Sequence, residues 1–322
     1  MSCKISVSDY VALNCGKDIS DILQNVIDEN PNRTIYFPDG EYILSKPLLT
    51  PAAPQKSVSL KLDDFAVIRA ADNWTGDEAM IRLGGKDEAN NITTPGSNYG
   101  IEGGIIDCRG VAKGISIDSG RETYIRNLSV KNAVVGIHIK YGANWGSSDA
   151  DVFGVNITGN GTKEALGMLV EGLDNTFTNM RIGHVFTGVE LRSGGNALRN
   201  IHPLYNIEPA SYPYYDECVG FKMVKGLTNW FENCYSDQFA TGFRTYNGGG
   251  YFTNCYSFWY SGKEKRHVAF ESLEPFHGRI NGFTVGGKEP VSGKKKFSEA
   301  MSLSENCSIS GVTVDGELLK EF

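Results

Sequence analysis

Apolar and polar residues along this chain follow a degenerate repeat that starts near Gly114 and runs to the C-terminus. A Gly opens one short alternating strand in each copy, as in Gly114-Ile115-Ser116-Ile117, Gly136-Ile137-His138-Ile139 and Gly188-Val189-Glu190-Leu191. The same pattern recurs in Gly167-Met168-Leu169-Val170, Gly220-Phe221-Lys222-Met223 and Gly242-Phe243-Arg244-Thr245. An Asn opens a second strand, at Asn127, Asn156, Asn179, Asn200, Asn233, Asn254 and Asn281. Nine residues separate Asn127 from Gly136, Asn179 from Gly188 and Asn233 from Gly242. A fixed period of roughly 20–25 residues means a solenoid, and units made only of strands mean a β-helix. Equivalent residues of successive coils then stack about 4.8 Å apart along the axis.

Before the repeat, the chain reads as a cap. Ile19, Ile22, Leu23, Val26 and Ile27 form one apolar helical stripe, and Asp18 stands where an N-cap belongs. A helix there would cover the open end of the solenoid core. Thr34-Ile35-Tyr36-Phe37, the turn Pro38-Asp39-Gly40 and Glu41-Tyr42-Ile43-Leu44 follow as strand, turn and strand. One β-helix domain over 1–322 is expected: cap and first strands over 1–45, irregular early coils over 46–113, regular coils with insertions over 114–290, and a last coil over 291–322.

Composition narrows the function classes. Of 322 residues, 31 are Lys or Arg and 38 are Asp or Glu, a net charge of −7 that advertises no nucleic-acid or anionic-membrane face. The N-terminus has no apolar leader core, and no stretch approaches 18 apolar residues. A soluble chain is expected, cytoplasmic as it stands and secreted if a leader preceded it. Seven Cys, an odd number, fit reduced thiols. Cys234 and Cys255 hold the same repeat position, so they should stack inside the core.

Asp9-Tyr10, Asp18-Ile19, Ile22, Val26-Ile27 and Ile35-Tyr36-Phe37-Pro38-Asp39-Gly40-Glu41-Tyr42 together resemble the opening of the pectate-lyase-like superfamily. That group of right-handed parallel β-helices holds pectate lyases, family 28 glycoside hydrolases, uronate epimerases and phage tailspikes. Gly103-Gly104-Ile105-Ile106-Asp107-Cys108-Arg109-Gly110 is similar to a coil of the family 28 enzymes. The resemblance implies an all-β, right-handed, single-stranded parallel β-helix with a short N-terminal capping helix. It implies no reaction, because the family 28 catalytic strings, the epimerase Asp-Pro-His-Glu and the lyase Trp-x-Asp-His are all absent.

Chemistry is sought where insertions break the period. The first insertion, after Gly136, carries Trp145. The second, after Asn200, carries Tyr205, Tyr212, Tyr215, Asp216 and Glu217. The third, after Asn254, carries Trp259, Tyr260, Lys265, Arg266 and His267. Strand alternation turns Cys234 and Ser236 inward and Tyr235 and Asp237 outward. Asp237 is therefore expected on a groove floor between two aromatic-rich loops. Aromatic rings stack on sugar faces, and carboxylates on adjacent coils supply acid and base.

The reading is a carbohydrate-active enzyme, a glycoside hydrolase. Asp237 pairs with Asp216 or Glu217 in it, and Tyr205, Tyr212, Tyr215, Tyr235, Trp259, Tyr260, Arg266, His267 and Trp145 bind substrate. No cofactor or metal is called for. The alternative is elimination from a uronate-containing glycan, with Lys265, Arg266 or His267 as base and Ca²⁺ on the substrate. Further alternatives are a sugar-isomerising transferase and a non-catalytic trimeric binding protein. The carbohydrate is the expected partner, and the chain a monomer or homotrimer. His138 and Glu190 read as outward strand residues with no role.

Overall fold

The computed structural model describes residues 4–53, 56–86, 99–141, 147–207, 213–224, 228–246, 248–260, 266–291, 293–299 and 301–319. The fold is a right-handed parallel β-helix with one α-helix near its start. Two compact units can be distinguished, Met1–Asn160 with Leu169–Thr176, and Gly161–Met168 with Phe177–Phe322. No helix among the described residues is long and apolar enough to cross a membrane.

Each coil contributes strands to three parallel stacks. In the first unit, Ile115 pairs with Ile81 and Ile137 in one stack. Ile125 pairs with Ile101 and Val152 in the second, and Val130 with Ile106 and Ile157 in the third. All of these side chains are buried. Within 46–113, where the repeat is hard to read, described strands also pair in parallel, as where Leu60 lies beside Ile35 and Ile101, with a register shift between Leu49 and Pro51. The second unit fills its interior with rings. Phe221 stacks on Phe243 at 4.5 Å and Phe231 on Phe252 at 4.6 Å, with edge contacts between the two columns. Cys234 and Cys255 are both buried there as free thiols, and burial, then the neighbouring Cys234, pushes Cys255 well up.

The two sequence anchors have different physical causes. Asn127, Asn179, Asn200, Asn233 and Asn254 all sit at φ between 51° and 55°, a left-handed turn that Asn tolerates better than most residues. Asn156 and Asn281 do not. Gly154 and Gly282 take the turn in their coils, at φ 65° and 69°. A Cβ at either would lie 2.8 or 2.6 Å from the Oδ1 of Asn127 or Asn254, so that Asn side chain would have to shift to admit one. The Gly anchors mark close approach instead. A Cβ on Gly220 would meet Ser236 Oγ at 2.3 Å and the Gly242 carbonyl at 2.7 Å.

The helix Ser20–Glu29 buries Leu23, Val26 and Ile27, while Ile22, placed on the stripe from sequence, is exposed. Gln24 seals the end of the nine-stranded sheet. Its amide accepts from Leu49 N–H at 2.8 Å and donates to Leu49 C=O at 3.0 Å, satisfying the backbone of the edge strand Leu48–Pro51. Asp18 Oδ1 accepts from the Ser20 backbone at 3.0 Å and from Ser45 N–H at 3.1 Å. Burial alone would raise this carboxyl, but the hydrogen bonds from Ser20 and Ser45 win and lower it to about 2.

The N-cap position of the helix is Ile19, not Asp18 as the sequence suggested, so Asp18→Ala should cost about 1 kcal/mol near neutral pH through its lost hydrogen bonds from Ser20 and Ser45. The folded carboxyl titrates below the unfolded value of 3.8, so its stabilisation is complete above that value and fades as pH falls toward 2. Denaturant melts of the two proteins should converge across that window. Gly220→Ala should cost about 1–3 kcal/mol by overpacking against Ser236, read as a lower midpoint in the same melts.

Candidate functional site

Alternation does turn Asp237 outward and Ser236 inward, but Asp237 is covered. The residue is 8% exposed, in the strand Tyr235–Asp237 between Leu204 and Phe258. Its Oδ2 lies 3.5 Å from His202 Nε2. The His202 ring stacks on Tyr235 at 4.1 Å, and Tyr235 on Tyr256 at 5.0 Å. Burial, then the charge of Asp237, pushes the Tyr235 phenol up. Asp237 is thus part of a ring-stacked polar cluster on one strand stack, not the floor of an open groove.

Asp216 and Glu217 lie elsewhere, on the short turn Tyr215–Glu217 that leads into Val219–Met223. They line a groove of about 310 Å³ with Phe186, Thr187, Val219, Lys222, Arg244 and Tyr246, and Asp237 is not in its lining. Strand register brings the cations there. Glu190, Lys222, Arg244 and Glu271 occupy one row across four paired strands. Lys222 bonds Glu190 at 3.0 Å and Arg244 bonds Glu271 at 2.5 Å, so two neighbouring cations are each matched by the glutamate on their outer side. Glu217 is ion-paired with Lys163 at 2.8 Å, and the same ammonium lies over the Tyr214 ring.

The loop aromatics are mostly core. Tyr205, Tyr215 and Trp259 are 1%, 3% and 1% exposed. The Tyr205 ring packs edge-on against Tyr215 and Phe239, and Tyr215 Oη donates to the Gln238 carbonyl. Trp259 Nε1 donates to the Phe239 carbonyl at 2.6 Å, and its indole stacks on His267 at 4.5 Å. His267 is itself buried, with Nδ1 against the Lys288 carbonyl. Both insertions fold their rings under the loop, because an aromatic on a corner beside a solenoid core buries more area inward than outward. Arg266 is held by Glu271 at 2.7 Å and Glu299 at 3.1 Å. Tyr260, by contrast, stands well exposed, at 55%. Tyr212, Trp145 and Lys265 lie outside the described residues.

Sequence reading passed over a polar cluster in the first unit. Arg82, Ser116 and His138 share a row on the outer face of three paired strands. Asp118 and Lys140 follow one position past the ends of two of these strands. Asp118, with its side chain fully buried, accepts from Arg82 at 2.5 Å and from Lys140 at 3.1 Å, and Ser116 also bonds it. Lys140 reaches Glu78 at 2.7 Å. His138 Nε2 lies 2.8 Å from Glu171 Oε2. Burial drives the imidazole down, and Glu171 opposes this. The signal available in sequence was His138 itself, an imidazole alternating with apolar residues in Gly136-Ile137-His138-Ile139.

Among the described residues, no group of three or more His, Cys, Asp or Glu is arranged to hold a metal ion.

No family model matches the chain. It is similar to Polygalacturonase QRT3 of Arabidopsis thaliana, with 24% identity over 205 residues, 56% of this chain. The chain spans 38% of the length of that relative. Its fold is similar to that of tailspike protein 2 of bacteriophage CBA120, with TM-score 0.67, 12% identity, and coverage of 97% of this chain and 52% of the other. It is also similar to an alginate lyase of Paenibacillus, with TM-score 0.54, 13% identity, and coverage of 91% and 96%. These likenesses to solved structures show the fold, a parallel β-helix.

Core and subsite roles for Trp259 separate cleanly by stability. Trp259→Ala should lower unfolding free energy by about 3–5 kcal/mol, as for other buried aromatics. A melt unchanged from wild type would return Trp259 to the surface.

Proposed function

We propose that the protein is a carbohydrate-active enzyme that hydrolyses glycosidic bonds, with its reaction in the groove lined by Asp216 and Glu217. The observation that carries this reading is the presence of two carboxylates, a phenol and two cations around one concavity: Asp216, Glu217, Tyr246, Lys222 and Arg244. Hydrolysis needs one carboxyl to protonate the leaving oxygen and a second to activate water or attack the anomeric carbon. Glu217, beside Lys163, is held as the carboxylate partner, which suits base or nucleophile. Asp216 is then the acid. Tyr246 and Phe186 offer ring surface to the apolar face of a sugar. Lys222 and Arg244 are each matched by a glutamate, so they order the groove wall rather than flood it with positive charge. The similarity to a protein named a polygalacturonase supports a saccharide substrate.

The test is a panel of neutral and uronate-containing polysaccharides read two ways, as new reducing ends and as ultraviolet absorbance of an unsaturated uronate. Reducing ends without absorbance are expected. Glu217→Gln and Asp216→Asn should each lower kcat by about 10²-fold or more, with melts unchanged because both side chains are exposed. Full activity in both variants would remove the groove from the reaction.

A further inference from the structure

Two largely buried glutamates set the charge of the groove that Asp216 and Glu217 line. Glu190 stands on the strand Thr187–Leu191 and Glu271 on Val268–Ser272, at the two ends of one row across four paired strands. Lys222 and Arg244 lie between them and face the groove. Each glutamate divides its two oxygens between two cations. Glu190 Oε2 accepts from Lys222 at 3.0 Å, and its Oε1 from Arg192 at 2.6 Å. Glu271 Oε2 accepts from Arg244 at 2.5 Å, and its Oε1 from Arg266 at 2.7 Å.

These bonds occupy the cations of the groove wall. Arg244 Nη2 also donates to Thr241 Oγ1 at 3.1 Å, and its side chain is 15% exposed. The Lys222 ammonium is held between Glu190 and the Tyr246 ring, 5.7 Å from the ring centroid. A saccharide carboxylate entering here would have to draw Lys222 or Arg244 away from its partner. The glutamate left behind, its side chain 9% or 15% exposed, would become an uncompensated charge. The Glu217 carboxylate would repel the same group. A neutral sugar meets neither penalty. Its hydroxyls can donate to the groove carboxylates, and its apolar face can lie on Tyr246 or Phe186.

We propose that Glu190 and Glu271 are specificity-determining residues, which reserve the groove for a neutral saccharide and exclude uronate-bearing chains by holding Lys222 and Arg244. Positive residues are present at the wall, and their prior pairing is what turns an anionic sugar away. Discrimination is a difference of affinities, and here the wrong ligand is disfavoured because it finds no unpaired cation. Removing one carboxylate while keeping its shape frees a cation and admits the anionic chain. The inference rests on the hydrolytic reading of this groove and names the class of glycan it takes.

The experiment compares wild type, Glu271→Gln, Glu190→Gln, Glu217→Gln and Asp216→Asn as intact proteins on neutral galactans and glucans and on polygalacturonate, at low and high salt. Wild-type kcat/KM should favour the best neutral substrate by about 100-fold or more. Glu271→Gln and Glu190→Gln should each lower KM for polygalacturonate by about tenfold, the effect of one hydrogen bond to a charged partner, and keep kcat on the neutral substrate within about twofold. High salt should erase that gain. A merely structural role would lower activity on both substrates together and give no gain that salt removes. Glu190→Gln, beside the more exposed Lys222, keeps the test open if Glu271→Gln, which also releases Arg266, does not fold. Polygalacturonate cleaved by wild type as well as any neutral chain, with activity lost in Glu217→Gln, overturns this inference and leaves the hydrolytic groove standing. A neutral preference unchanged in both Glu271→Gln and Glu190→Gln overturns it as well. Full activity in Glu217→Gln and Asp216→Asn, or a wild type inert on every chain, overturns the groove reading and this inference with it.

Discussion

Parallel pairing of each coil with the next is the constraint on which everything else in this protein rests. At one strand spacing of about 4.8 Å, every side chain is judged against its equivalent above and below. Apolar equivalents become continuous columns, as with Ile81, Ile115 and Ile137, or Phe221 and Phe243. Like charges at that distance repel, so a charged row needs its counter-charges within it. In the row Glu190, Lys222, Arg244 and Glu271, each of the two neighbouring cations bonds the glutamate on its outer side. The same stacking sets a column of left-handed turns, taken by Asn in most coils and by Gly154 and Gly282 in two.

That constraint explains why the fold was legible and the site was not. A column leaves its signature at fixed spacing, so Gly220 and Gly242, or Asn233 and Asn254, announce strand and corner without a structure. Cys234 and Cys255 were legible for the same reason, and they are buried together as the spacing requires. Asn156 and Asn281 misled because the anchor was read as a residue type, whereas the turn selects a backbone conformation that glycine meets equally well. Insertions carry no such register. Nothing in their sequence says that Tyr205, Tyr215 and Trp259 fold inward, since aromatic content fits a core and a binding face alike.

Asp237 and His138 show the same limit from opposite sides. Alternation placed both on the outer face correctly. It could not say that Asp237 is covered beside His202 and the Tyr235–Tyr256 stack, or that His138 meets Glu171 from the next coil. Exposure depends on what the flanking corners bring, and ion pairing on side-chain reach between coils. Both are contacts between residues about 30 positions apart, with no periodic trace in the chain.

The Gln24 amide on Leu49 has a consequence for how such a protein could be lengthened or joined to itself. A stack of coils has no internal reason to stop, since the last strand offers the same open donors and acceptors as any before it. Here one side chain from the helix closes that valence at the first strand of the nine-stranded sheet. The helix is a chain terminator in the polymer sense. Without it, the edge at Leu48–Pro51 would be a seed on which another strand could grow.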